Sequence, residues 1–206
     1  MHRLYYINLE HRTDRRSSME DMLRNCNFPK ERIYRYPAHY YPNHGALGCA
    51  KSHIGVITHF LESDDKFCIV LEDDFRLNSV DGFNESLDKA FSMDNWDVMM
   101  LSGNIMKHSE EKDGFVKVYE AQTTSGYVLN REFADKLLKN FREAEEGLTK
   151  LGFNAHDYCI DQYWKILQPR SRWYCFFPKV GYQESGYSDI EGRNVNYLVE
   201  GTRQRV

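Results

Sequence analysis

The run Glu72-Asp73-Asp74 carries the most chemical content in the chain. It follows directly on Phe67-Cys68-Ile69-Val70-Leu71, which is apolar enough to be a buried strand. Three adjacent carboxylates repel one another unless a cation shares them. Hard divalent ions take oxygen ligands, and Mg²⁺ or Mn²⁺ usually binds one or two carboxylates together with substrate phosphates. An acid-x-acid step at the carboxyl end of a strand, where open α/β sheets bind ligands, therefore points to a metal held with a diphosphate. A solvated acidic turn is the plain alternative.

Two further segments offer cations or backbone donors. Asn8-Leu9-Glu10-His11-Arg12-Thr13-Asp14-Arg15-Arg16 follows an apolar run and opens a helical pattern. A loop there presents N–H groups and guanidinium forks to a nucleotide, although arginine clusters are also common solvated faces. Gly45-Ala46-Leu47-Gly48-Cys49-Ala50-Lys51-Ser52-His53 opens another helix. It has neither the Gly-Lys-Ser/Thr ending of the phosphate loop nor the Gly-x-Gly-x-x-Gly spacing of the dinucleotide turn. A lone helical histidine such as His53 is more often packed than functional.

The elements that must position these groups alternate along the chain. Residues 4–9, 33–36, 67–71, 97–101, 115–119, 124–129 and 173–177 read as strands. Helices are expected after a cap at Thr13 or Asp14, over 45–62, around Phe83 to Phe91, after a cap at Asn130, and over 160–167 up to Pro169. Residues 143–152 read as a solvated connection, and the chain beyond Pro178 has no clear periodicity. Such alternation predicts an α/β fold, a mainly parallel twisted sheet with helices on both faces. No repeat or linker divides the 206 residues, so one domain is expected over 1–206.

Composition narrows the function classes. Lysine plus arginine is 27 and aspartate plus glutamate 31, a net charge of −4. That balance argues against a dedicated nucleic-acid binder. Apolar residues at 41% and charged residues at 28% describe a globular chain. No run approaches the ~18 apolar residues of a membrane span, and the opening Met-His-Arg is too soon charged for a signal peptide. Five widely spaced cysteines without Cys-x-x-Cys argue against a disulfide framework or zinc site and favour a reducing, cytoplasmic setting. Membrane contact, if any, would be peripheral.

In order along the chain stand Ile7-Asn8-Leu9-x-x-Arg12-x-Asp14-Arg15, Gly45-x-x-Gly48-Cys49-x-x-Ser52-His53, Leu71-Glu72-Asp73-Asp74 and Thr124-Ser125-Gly126-Tyr127. Residues 178–183 followed by Ser188-Asp189-Ile190 close the series. Together these motifs resemble the family 25 glycosyltransferases, which include bacterial lipooligosaccharide galactosyltransferases and the collagen galactosyltransferases. The resemblance runs from about residue 3 to 195, and Ala46 stands where many members carry glutamate.

The resemblance implies a GT-A fold, a UDP-sugar donor with UDP-galactose favoured, Mn²⁺ (or Mg²⁺), inversion, and a glycan or glycoprotein acceptor. On it, Glu72, Asp74 and Asp189 are the expected metal residues. Asn8, Leu9, Arg12, Arg15, Ser52, His53, Glu72, Asp73, Ser125, Gly126 and Arg193 are the expected donor contacts. Residues 102–104, at the end of a central strand, are expected to touch the acceptor. An inverting transfer needs a carboxylate base for the attacking hydroxyl. Asp161 and Asp157 are the candidates, Asp161 favoured because Cys-Ile-Asp-Gln-Tyr-Trp is similar to the family's late Val-Asp segment; either could instead cap a short helix. The tail from about 178 is expected to fold over the donor. A catalytically silent relative that binds sugars or a protein is the alternative, but it should have lost the acid-x-acid step. A nucleotidyltransferase or phosphohydrolase would need a phosphate signature around a nucleophile or a second acid cluster, and the sequence has neither.

Overall fold

Leu4, Tyr5, Tyr6 and Ile7 are all buried, as a strand covered on both faces must be. They belong to β1 (His2–Asn8), which heads the order α1 (Thr13–Asn25), β2 (Ile33–Pro37), α2 (Gly45–Leu61), β3 (Phe67–Glu72), β4 (Phe75–Leu77) and α3 (Val80–Ser92). Then follow β5 (Val98–Met100), β6 (Asn104–His108), β7 (Phe115–Gln122), β8 (Gly126–Asn130), α4 (Arg131–Leu151) and α5 (Ile160–Tyr163). The chain closes with β9 (Trp173–Phe176), β10 (Gly181–Gln183), β11 (Gly186–Ser188) and β12 (Arg193–Val195). This computed structural model describes residues 2–26, 28–152, 155–190 and 192–196. The remainder of the expected tail, at 191 and 197–206, lies outside the described residues.

Eight strands form one sheet in the order β2-β1-β3-β8-β5-β9-β7-β6. Six point the same way; β8 and β7 run against them. The sheet is therefore mainly parallel in direction, with two reversed strands inserted. Alternate residues feed two cores. Leu4, Tyr6, Ile69 and Leu71 pack with Met19 and Leu23 of α1 and Phe83 and Leu87 of α3. Tyr5, Ile7, Cys68 and Val70 pack with Val56 and Phe60 of α2, Phe141 of α4 and Ile160 of α5. Helices thus cover both faces.

Three local expectations need correction. Neither Thr13 nor Asp14 caps α1: the helix starts after Arg12, and both are its first residues, where the Asp14 charge suits the helix dipole. Residues 143–151 are not a solvated connection but the last turns of α4. The stripe Leu137, Phe141, Ala144, Leu148 continues the buried face, and Gly152, at φ +76°, ends the helix. Among the described residues beyond Pro178 the chain forms three short strands; β10 pairs antiparallel with β4, and β11 with β12. Two expectations hold in detail. Asn130 caps α4 by accepting from the Glu132 N–H, and the chain leaves the eight-stranded sheet at Phe176, just before Pro178. Among the described residues no helix is long and apolar enough to cross a membrane.

Candidate active site

The adjacent parallel strands β2, β1 and β3 end on the same side of the sheet. Asn8 closes β1, Glu72 closes β3, and the 38–41 loop leaves β2. Between these ends and α2 opens a cleft, of about 710 Å³ when the space at its open mouth is counted. Glu72, Asp73 and Asp74 line it from the sheet, Ser52 and His53 from α2, Tyr40 and Tyr41 from the loop, and Asp189 from the tail. Leu9 and Arg15 also reach it.

The carboxylates are held in different ways. Asn8 is buried and donates through Nδ2 to Asp73 Oδ2 at 2.8 Å. Its Oδ1 accepts from Arg35 Nε at 3.0 Å, so β2 fixes the Asn8 amide that orients Asp73. Arg15 Nη1 bridges Asp73 Oδ1 at 2.9 Å and Asp74 Oδ2 at 3.1 Å. Gln183 of β10 also donates to Asp74 Oδ2, at 3.2 Å. Asp74 Oδ1 is buried and has no hydrogen-bond partner. Burial, with the neighbouring Glu72 charge adding, pushes the Asp74 carboxyl up to about 7. Burial also raises Asp73, against the pull of Arg15. Burial opposes the Glu72 charge too, but hydrogen bonds from His53 and Thr124 hold that carboxyl below its ordinary value.

Asp74 offers part of a hard divalent cation's shell, although the ligand oxygens of Glu72, Asp74 and Asp189 do not all lie within 4.8 Å of one another among the described residues. A buried, unpartnered carboxylate oxygen with a raised proton affinity is what such an ion would relieve. Asp189 is less open, because Arg12 Nη1 donates to it at 2.7 Å and His11 lies at 3.3 Å. Arg12 also pairs with Asp14 at 2.9 Å. The tail reaches this place because α2 begins with glycine. A Cβ on Gly45 would stand 2.6 Å from Ile190 Cα, and one on Gly48 2.4 Å from the His39 carbonyl oxygen. Ser52 ties the same loop down, accepting from His39 N at 2.9 Å and donating to Gly48 O at 2.7 Å.

Other expected residues lie away from the cleft lining. Ser125 is fully buried, its hydroxyl on Ser102 at 2.6 Å and its carbonyl on the Glu72 N–H at 2.8 Å. A Cβ on Gly126 would meet the Phe75 ring at 2.7 Å, so this glycine permits close packing. Arg193 is exposed on β12, opposite Ser188 in the tail hairpin. Asp157 is fully exposed on a 3₁₀ turn, 3.9 Å from His156. Asp161, half-buried in the first turn of α5, accepts from Thr123 N at 3.1 Å and from Gln162 Nε2 at 3.2 Å. Thr123 has φ +81°, unfavourable for a β-branched residue, so Asp161 helps hold the strained backbone before Thr124. Thr124 in turn donates to Glu72 Oε1 at 2.6 Å. Sequence reasoning missed Tyr40, Tyr41 and Gln183. The signal for the tyrosines was their position just past a parallel strand; Gln183 has none without the β4–β10 pairing.

The description "Glycosyltransferase family 25 (LPS biosynthesis protein)" matches residues 40–160, more than half of the chain. A "Glycosyltransferase 25 family member" of Anopheles gambiae is 27% identical over 210 residues, covering 84% of this chain but 33% of the relative. The chain thus spans about a third of that curated relative's length. Among solved structures, a glycosyltransferase involved in glycosylation of the major capsid of PBCV-1 superposes with a TM-score of 0.59 at 10% identity, covering 92% of this chain and 95% of that one. Mannose-1-phosphate geranyltransferase from Thermus thermophilus gives 0.52 at 10% identity, covering 94% and 75%. The fold is GT-A-like, and the chain belongs to glycosyltransferase family 25.

Proposed function

We propose that the protein transfers a sugar, galactose favoured, from a UDP-sugar to a hydroxyl of a glycan or glycoprotein acceptor, with inversion and with Mn²⁺ or Mg²⁺. The observation that carries this reading is Asp74, whose buried and unpartnered Oδ1 sits beside Glu72 at the strand ends, under Arg15. Asp74, Glu72 and Asp189 would hold the cation; when bound, it supplies Lewis-acid stabilisation of the departing diphosphate. Arg15 and Arg12 offer fixed positive charge to the same phosphates, in exchange for their present carboxylate partners. Asn8 and Arg35 keep Asp73 oriented while Arg15 makes that exchange.

In the transfer itself the acceptor oxygen bonds to the anomeric carbon as the bond from that carbon to the diphosphate oxygen breaks. The hydroxyl proton passes to a carboxylate, for which we favour Asp161, beside the Thr123–Thr124 turn that touches Glu72. Asp157 is the second candidate, and its exposed position beside His156 is the weaker support.

Calorimetry with UDP-galactose tests the reading. Binding is expected with Mn²⁺ and only weakly without it, because the ion joins protein carboxylates to phosphates. Asp74→Asn should lower transfer by ~100-fold or more, since direct charge stabilisation is worth several kcal/mol. Undiminished transfer in excess chelator would overturn the metal, and preference for a guanosine or cytidine donor would overturn the nucleotide. Sugar binding without turnover of any nucleotide sugar would identify a silent relative.

A further inference from the structure

Three side chains of the cleft floor form a second donor set, chemically unlike the acidic one. Cys49 and His53 stand four residues apart on α2, hence on one face of the helix. Glu72 meets them from the end of β3. One ligand atom from each of Cys49, His53 and Glu72 lies within 4.8 Å of the others. We propose that Cys49 Sγ, His53 and Glu72 form a site for a thiophilic divalent cation of the zinc class, different in chemistry from the proposed all-oxygen set for Mn²⁺ or Mg²⁺, with which it shares Glu72.

The geometry is close to what such an ion requires. Zinc bonds of about 2.3 Å to sulfur and about 2.0–2.2 Å to nitrogen and oxygen give tetrahedral edges of roughly 3.3–3.6 Å. The edge from His53 Nε2 to Glu72 Oε1 is already 3.2 Å. With all three atoms within 4.8 Å of one another, the cysteine has at most roughly 1 Å to close, a side-chain rotation for a half-buried residue that lines the cleft. Tyr127 Oη lies 3.0 Å from His53 Nδ1, the outer partner that fixes the ring of a metal-bound histidine and leaves Nε2 for the ion. His53 and Tyr127 are both fully buried, so this orientation is rigid. Three protein ligands leave a fourth position toward the cleft. Thiolate and imidazole select zinc over manganese, as the acid-x-acid step selects the reverse.

Glu72 belongs to both sets. A zinc ion on Cys49 and His53 therefore draws on a carboxylate of the proposed donor site, which makes this second site inhibitory toward sugar transfer. Without a metal the same atoms are a hydrogen-bonded chain, Tyr127–His53–Glu72–Thr124, with Cys49 beside it. The absence of a Cys-x-x-Cys pair conceals the site in the sequence because one ligand comes from another element.

Co²⁺ added to the chelator-treated protein under a phosphine reductant distinguishes the two. The expected result is an intense near-ultraviolet sulfur-to-cobalt charge-transfer band with the visible bands of a tetrahedral ion, both removed by Zn²⁺. Cys49→Ser should abolish the charge-transfer band, and Cys159→Ser should keep it. Tyr127→Phe, which removes only the hydroxyl, should weaken Zn²⁺ binding by about 10–100-fold. Thermal melts check that each variant is folded. No charge-transfer band in the parent protein, or an equal band in folded Cys49→Ser, overturns the site. These readouts need no sugar substrate, so they stand or fall apart from the proposed transferase activity.

Discussion

Asp161 is engaged by the Thr123 N–H, and that contact makes base and scaffold separable at the level of one residue. Asparagine keeps a carbonyl oxygen for Thr123 but cannot take a proton. If Asp161 is the base, Asp161→Asn should lower kcat by ~10²–10⁴-fold with donor affinity little changed, while Asp157→Asn stays active. The reverse pattern transfers the role to Asp157; two active variants with unchanged melting temperatures leave Asp189 as the next candidate. Asp74 gives a second prediction, on stability. Its folded pKa, about 7, lies above the ordinary carboxylate value, so the native state holds the proton more tightly than the unfolded chain. The stability tied to that proton is complete below the unfolded value and is lost as pH rises through about 7. In metal-free protein, Asp74→Asn should therefore melt higher than the parent above pH 7, by at least ~1 kcal/mol, and the gap should close toward pH 4. Chemical denaturation at both ends of this range reads the effect; a gap that widens toward acid would contradict it.

At the scale of elements, the amino end of α2 is a docking place for two other segments. Gly45 admits Asp189 and Ile190, and Gly48 admits the His39 backbone. Neither needs an unusual φ; what matters is the missing Cβ. A methyl group at Gly45 would meet backbone rather than a flexible side chain, so the tail must move. Gly45→Ala should detach Asp189 from its place beside Arg12 and weaken donor binding by about tenfold, or ~1.4 kcal/mol. The main sheet does not depend on this contact, so far-ultraviolet circular dichroism should be unchanged. Unaltered donor affinity in the folded variant would mean that the tail plays no part in the cleft.

For the whole molecule, donor binding and folding should be coupled, because the cleft joins strand ends, helix and tail that are remote in sequence. A ligand present at 100 times its Kd stabilises the native state by about 2.7 kcal/mol. For a chain of this size that corresponds to a rise in Tm of roughly 5–10 °C. UDP with Mn²⁺ should produce it, and chelator should cancel it. A shift of the same size with UDP alone would speak against the metal bridge.

Periodicity and composition made the alternating sheet and its two helical layers legible, because burial on one or both faces leaves a local record in apolar spacing. The middles of β1 (residues 4–7) and β3 (residues 67–71) are apolar, α1 and α3 carry stripes, and Glu72-Asp73-Asp74 stands at a strand end where ligands bind. The last turns of α4 were concealed because Glu143, Glu145 and Glu146 dilute a stripe that Ala144, Gly147 and Leu148 continue. What the sequence could not settle is convergence. Gln183 reaches Asp74 only because β10 pairs with β4, and Asp189 reaches Arg12 only because Gly45 has no side chain. Cys49 and His53 meet Glu72 only because α2 packs across the end of β3. Each of these contacts depends on which distant segments pair or pack, and that is decided by the joint free energy of the whole core rather than by the spacing of residues along any one segment.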